Sequence, residues 1–154
     1  MLRVGLISDT HGPLRPEALA FLRGSDRIIH AGDIGDPGVL EALRAIAPVT
    51  AVRGNNDRQP WAASLRESEM LELGGVYAYV IHDMQELDID PASADVRIVV
   101  SGHSHAPSVT ERDGVLYVNP GSAGPRRFRL PVSVGELIVD GSSVSARIAE
   151  LDLR

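Results

Sequence analysis

Cysteine is absent from the 154 residues, and so is lysine, because all 15 cationic residues are arginine. Without Cys there is no disulfide, no thiol nucleophile and no thiolate metal site. Without Lys there is no Schiff base, no Ser–Lys pair and no Walker-type phosphate-binding lysine. Aromatic residues make up only 4%, and 21 acids outnumber the 15 bases for a net charge of -6. General nucleic-acid binding relies on a basic footprint and stacking platforms, so this balance counts against it. No apolar run approaches the roughly 20 residues of a membrane-spanning helix. The first seven residues enter an apparent strand at once, without a signal-peptide layout.

What remains is ordinary for a globular protein, with 44% hydrophobic and 23% charged residues. The length fits one domain over residues 1–154, and a domain of this size buries about 68–70% of its unfolded surface. The expectation is a single soluble, cytoplasmic domain.

Residues 2–7 form an apolar run of strand length, and 16–23 read as a helix opened by Pro16 and stopped by Gly24. A strand at 27–30 would complete a β–α–β unit with parallel strands. Asp36-Pro37 opens a second helix with Val39, Leu43 and Ile46 on one face, and a third strand follows at 49–52. Beyond residue 60 the rhythm changes. Residues 70–73 and 76–81 read as a hairpin about Gly74-Gly75, and 83–95 as a polar connection with room for a short helix. Apolar runs at 96–100, 115–118, 132–139 and 144–149 read as strands, with turns at Asp113-Gly114 and Asp140-Gly141. This order predicts an α/β or α+β layered sandwich rather than a uniform Rossmann sheet.

The polar residues gather where apolar runs end. Ile7 leads to Asp9 and His11, Ile29 to His30 and Asp33, and Val52 to Asn55, Asn56 and Asp57. Ile81 leads to His82 and Asp83, and Val100 to His103, Ser104 and His105. In open α/β sheets ligands bind outside the carboxyl ends of strands, so these clusters can converge on one cleft. Glycine stands directly before Asp33, Asn55 and His103, where it permits a sharp turn and a close backbone approach. Asp, Asn and His together make a hard-to-borderline ligand shell suited to Mn, Fe, Ni or Zn. The set is too large for one four-coordinate ion. It suits two ions about 3.5–4 Å apart that share a carboxylate.

Asp9-x-His11, Gly32-Asp33, Gly54-Asn55-x-Asp57, His82, Gly102-His103-Ser104-His105 and Asn119-Pro120-Gly121-Ser122 together resemble the calcineurin-like metallophosphoesterases. Their small bacterial and archaeal phosphodiesterase branch is the most similar. The resemblance implies a four-layer αββα sandwich, two β-sheets flanked by helices. It implies one metal held by Asp9, His11, Asp33 and His105, and another by Asp33, Asn55, His82 and His103. The implied cofactor is a pair of divalent ions, Mn2+ first, with Fe, Ni or Zn compatible. The implied activity is binuclear phosphoester hydrolysis, a metal-bridging hydroxide attacking phosphorus in line. Asp33, Asn55, His82 and Asn56 form the implied catalytic set. Asn56, Ser122 and Arg126 are the implied substrate contacts, Arg127 being a near-equal choice to Arg126.

Two departures from the family pattern bear on substrate. The residue after Gly54-Asn55 is His in phosphomonoesterase branches, where it assists the leaving group, but here it is Asn56. Asn cannot act as a general acid near neutral pH, and such help is worth about 10²–10⁴-fold. Phosphodiesters are therefore expected over monoesters. Asp83 stands where Gly is usual, either supporting a ligand or serving the turn. The partner expected is a small phosphoester, with no membrane and nucleic acid disfavoured; relatives are often dimers, which makes a homo-oligomer compatible, but no residue here marks an interface. Alternatives are a phosphomonoesterase and a non-catalytic protein-binding scaffold with the same fold. His30 reads as a buried strand-end histidine that orients its loop, and Trp61, Tyr77 and Tyr79 as packing residues. Ser104 nearly fits a nucleophile elbow, but residues 107–110 do not read as the helix that an elbow requires.

Overall fold

The computed structural model describes residues 1–127 and 129–153. Among the described residues ten strands form two five-stranded sheets. The first sheet begins with β1 (Leu2–Ile7), β2 (Arg27–His30) and β3 (Val49–Ala51), all parallel. Helices α1 (Pro16–Leu22) and α2 (Pro37–Arg44) cross between them. Pro37 occupies the first turn of α2, and the Asp36 carboxylate caps it by accepting from the Gly38 N–H. The sheet is completed by β9 (Ser133–Asp140), antiparallel to β1, and β10 (Ser143–Glu150), antiparallel to β9.

The second sheet holds β4 (Ser68–Leu73), β5 (Val76–Ile81), β6 (Val96–Val100), β7 (Ser108–Arg112) and β8 (Val115–Asn119). Strands β4 and β5 pair as the hairpin expected about Gly74-Gly75. Strands β5, β6 and β8 run parallel, and β7 closes one edge antiparallel to β8. The sequence pattern left β7 unassigned for a physical reason. All five of its residues, Ser-Val-Thr-Glu-Arg, are exposed, so no apolar alternation marks them.

Three apolar layers hold the sandwich. Between the sheets, Val4, Leu6, Ile29 and Leu137 meet Ala78, Val80, Ile98, Val100 and Val118. On the outer face of the first sheet, Ile7 and Ile28 pack on Leu22 of α1 and Leu40 and Leu43 of α2. Because β1 and β2 are buried on both faces, they read as continuous apolar runs. The outer layer on the second sheet is thin. The 83–95 connection, with one 3₁₀ turn (Met84–Glu86), sets Met84, Leu87 and Ile89 on Tyr79, Ile81, Val96 and Val99. Trp61 and Tyr79 pack as expected, while Tyr77 is 46% exposed. Among the described residues no helix is long and apolar enough to cross a membrane.

Candidate metal centre

The parallel strands of both sheets deliver their carboxyl ends to one rim. The β1 loop lies along the β2 loop, with the Asp9 N–H donating to the Gly32 carbonyl (2.9 Å) and the His11 N–H to that of Asp33 (3.0 Å). Asp9, His11, Asp33, His103 and His105 all adopt positive φ, between 51° and 71°. Asp and His tolerate that region better than most residues. Such backbone still costs on the order of 1–3 kcal/mol per residue and gathers at functional sites. Two glycines permit the close approach. A Cβ on Gly54 would overlap the Asp33 carboxylate and main chain, and one on Gly102 would overlap Ser8 Oγ and lie 2.6 Å from Asp9 Oδ2.

Two donor triads result, Asp9–His11–His105 and Asp9–Asp33–His82, with the ligand atoms of each within 4.8 Å of one another. His105 Nε2 lies 3.4 Å from Asp9 Oδ1 and His11 Nε2 3.8 Å from it. Asp33 Oδ2 stands 3.7 Å from His11 Nε2 and 3.3 Å from His82 Nε2, so it reaches both groups. Asn55 Oδ1 sits between His82 Nε2 (3.1 Å) and His103 Nδ1 (3.3 Å). All seven metal ligands expected from the sequence are thus brought to one rim.

The donors fit a cation. Two atoms each about 2.0–2.1 Å from one ion at a tetrahedral angle lie about 3.4 Å apart, close to the 3.3–3.9 Å separations found here. Asp9 Oδ1 and His11 Nε2 are buried without a hydrogen-bond partner. A bare carboxylate oxygen in such a place is costly unless a cation meets it.

The electrostatics separate the two carboxylates. Burial pushes the Asp9 carboxyl up, against the Ser8 hydroxyl and the nearby His82 and His105. Burial also acts on Asp33, but hydrogen bonds from His82 and the Asn56 N–H, with the charges of His82 and His11, hold it well below the usual carboxylate range. Asp33 therefore stays ionised in the chain alone. Burial opposes charge on His82, yet Asp33 and Asp9 outweigh it and raise its pKa. His82 Nδ1 lies 2.7 Å from the Ala31 carbonyl, an anchor that turns Nε2 toward the donors.

Supporting residues lie behind the donors. His30 is fully buried, and its Nδ1 accepts from the Gly32 N–H at 3.1 Å. Its proton must then sit on Nε2, facing Thr10 Oγ1 at 3.1 Å, while that hydroxyl donates to the Ile34 carbonyl. Burial, with His82 adding to it, lowers its pKa to about 3, so the ring is neutral and orients the loops as expected. Asp57, 2% exposed, accepts from the N–H groups of Ile34, Gly35 and Gly54. It belongs to the motif, but no role was legible because Ile34 and Gly35 precede it by more than 20 positions.

The expected substrate contacts fare differently. Asn56 donates to Asp33 twice, from N–H to Oδ1 (2.9 Å) and from Nδ2 to Oδ2 (3.1 Å), so it holds the Asp33 carboxylate in place. Ser122 is buried and donates to the Asp9 carbonyl (2.9 Å), shaping the β1 loop from behind rather than lining the cleft. Arg126 and Arg127 are both exposed, but it is the charge of Arg127 that is felt at His105, where burial and that guanidinium lower the pKa. Ser104 accepts from Asn119 Nδ2 and the Ala106 N–H, and the chain beyond it enters β7 rather than a helix, so no nucleophile elbow forms. Asp83 caps the Gln85 N–H, and its Oδ2 lies 3.7 Å from His103 Nε2, so it serves both the turn and that ring.

Residues 2–142 match the family model of the calcineurin-like phosphoesterase superfamily domain. The chain belongs to this superfamily. A probable metallophosphoesterase of Methanothermobacter thermautotrophicus is 35% identical, the match covering 94% of this chain and 90% of the relative. Phosphodiesterase YfcE of Escherichia coli K12 is 28% identical over 95% of this chain and 92% of its own. The fold of this phosphoesterase superimposes on Vps29 of Chaetomium thermophilum with a TM-score of 0.85 at 23% identity, covering 99% of this chain and 90% of that one. The family is metal-dependent, and the donor groups of this phosphoesterase are of the matching kind.

Proposed function

We propose that this chain is a binuclear metal-dependent phosphodiesterase acting on small phosphoesters. The reading is carried by the position of Asp33, whose one oxygen reaches both His11 and His82 across the two donor triads. Asp9, His11, Asp33 and His105 would hold one ion, and Asp33, Asn55, His82 and His103 the other. The all-oxygen-and-nitrogen donors suit Mn2+, with Fe, Ni or Zn compatible. When bound, such a pair supplies a water acidified to about pKa 7 and a clamp for the attacking and leaving oxygens.

The chain's own groups set the rest. Asp33 is held ionised by hydrogen bonds from Asn56 and His82, ready to neutralise two cations at once. Asn56 itself cannot give up a proton as a general acid, because an amide does not ionise near neutral pH, and its Nδ2 already donates one hydrogen bond to Asp33. The leaving-group proton must come from water, which favours esters with acidic leaving groups. Arg127, whose charge acts on His105, is the arginine of the two placed to balance the developing oxyanion.

The test compares an aryl phosphodiester with the corresponding aryl phosphomonoester on chelator-stripped protein, with and without added Mn2+. Metal-dependent turnover favouring the diester is the expected result. Hydrolysis of neither substrate after two equivalents of metal are bound would overturn the reading and turn attention to a protein-binding scaffold.

A further inference from the structure

Beside Asn55, His82 and His103 the rim opens into a groove whose outer end lies beyond the candidate ligands. Its inner end, about 180 Å³, is lined by Asn55, His82, His103, Asp83 and Glu86. Its outer end, about 490 Å³, extends over Asp57, Gln59, Pro60 and Ala63. Arg53, Gly54, Asn55, Arg58 and Glu67 border both ends, so the two adjoin as a channel beside the donors.

The charges along this channel are unevenly distributed. Asp83 and Glu86 belong to the inner end only. At the outer end the acids are Asp57 and Glu67, and Asp57 is buried with its oxygens taken by main-chain N–H groups. Glu67 is exposed and pairs with Arg53 at 3.1 Å, a contact weakened by solvent. Arg58 is exposed and makes no ion pair among the described residues. Its Nε donates to the Asn55 carbonyl at 3.0 Å, which fixes the root of the guanidinium beside a candidate metal ligand. In a chain of net charge -6, the outer end sets two arginines against two acids; Asp57 is committed to main-chain N–H groups and Glu67 to Arg53, so Arg58 is the cation there with no carboxylate partner among the described residues. A guanidinium presents a planar fork that matches phosphate.

We propose that this channel is a subsite for a second phosphate carried by the phosphoester substrate, held at its outer end by Arg58 and by Arg53 once Glu67 yields it. The proposal rests on the phosphoesterase reading of the donors and narrows its substrate class to diesters with a further phosphate on one arm. Aryl diesters with no further phosphate would use the donors without the channel.

The probe is a thymidine dinucleotide with and without a 5′-phosphate. Equilibrium binding to metal-stripped protein reads the channel with hydrolysis silent. Hydrolysis by the Mn2+-loaded protein gives the ratio of kcat/KM for the two forms, and bis(4-nitrophenyl) phosphate is run in parallel. The wild type is expected to favour the phosphorylated form about 10-fold in both measurements, the increment of one charge-assisted contact. Arg58→Ala should bring the ratio to about 1, and Arg58→Lys, which keeps charge but loses the fork, should leave it in between. Glu67→Gln, at an exposed position, should raise the ratio by releasing Arg53. Equal binding of the two forms by the wild type would overturn the proposal, as would a preference that survives Arg58→Ala. Failure to hydrolyse bis(4-nitrophenyl) phosphate with metal bound would overturn the phosphoesterase reading instead, so the two failures are distinct.

Discussion

Asp33 has neighbours from three strand ends: His11 from β1, Asn56 from β3 and His82 from β5. If its carboxylate is shared by two ions, Asp33→Asn should lose more kcat/KM than His11→Asn or His105→Asn, each of which serves one. Equal losses in steady-state assays would sink the shared role. Asn56 acts through Asp33, so Asn56→Ala should weaken metal affinity by about 10–100-fold, the usual effect of removing a ligand's own hydrogen-bond partner. Calorimetric titration of the stripped protein measures this, and unchanged affinity would return Asn56 to the leaving group. His30 makes a different statement. Its pKa falls from 6.5 to about 3 on folding, so between those values the unfolded chain binds more protons. Its contribution is therefore complete above pH 6.5 and is lost as pH falls toward 3, at up to about 1.4 kcal/mol per pH unit. The melting temperature of the stripped wild type should fall more steeply between pH 6.5 and 4 than that of His30→Gln. Parallel curves would clear His30 of that role.

At the scale of elements, the loop after β3 is stapled to the loop after β2 by Asp57. Removing the carboxylate in Asp57→Ala leaves the N–H groups of Ile34 and Gly54 buried and unpaired. That should cost on the order of 3 kcal/mol, or about 6–12 °C in Tm for a domain of this length. A smaller change in a thermal melt would mean that water replaces the carboxylate. The strands that place the donors were legible because β1, β2, β5 and β6 are buried on both faces and so read as apolar runs that end sharply in Asp, His or Asn. Strand β7 was not, because its exposed residues carry no periodicity and its place comes from pairing with β8. The same limit applies within the site. Spacing along the chain collected the donors, but Asn56 reaches Asp33, Asp57 reaches Ile34 and Gly35, and Ser122 reaches Asp9 across 22 to 113 positions, and no local pattern encodes those contacts.

At the scale of the molecule, the donors come from both sheets: Asp9, His11, Asp33 and Asn55 from the first, His82, His103 and His105 from the second. Bound ions would tie the sheets together at one rim. At free metal about a hundred times Kd the native state gains about 2.7 kcal/mol, which should raise Tm by about 5–10 °C. Differential scanning calorimetry with and without Mn2+ reads this, and an unchanged Tm would mean that the ions do not select the folded chain.

The second sheet is contiguous in sequence, from Ser68 to Asn119, whereas the first is split around it, with Leu2 of β1 paired to Val139 of β9. Closing the first sheet must therefore enclose a segment that can already be ordered, and the entropy of that long loop is the dearer step. The rim where the donors meet is built from both sheets, so its geometry exists only after they dock. Metal in this chain is then a late arrival rather than a nucleus, the reverse of a zinc finger, whose fold waits for its ion. Folding rate should be nearly indifferent to metal, and unfolding rate should carry almost all of its effect.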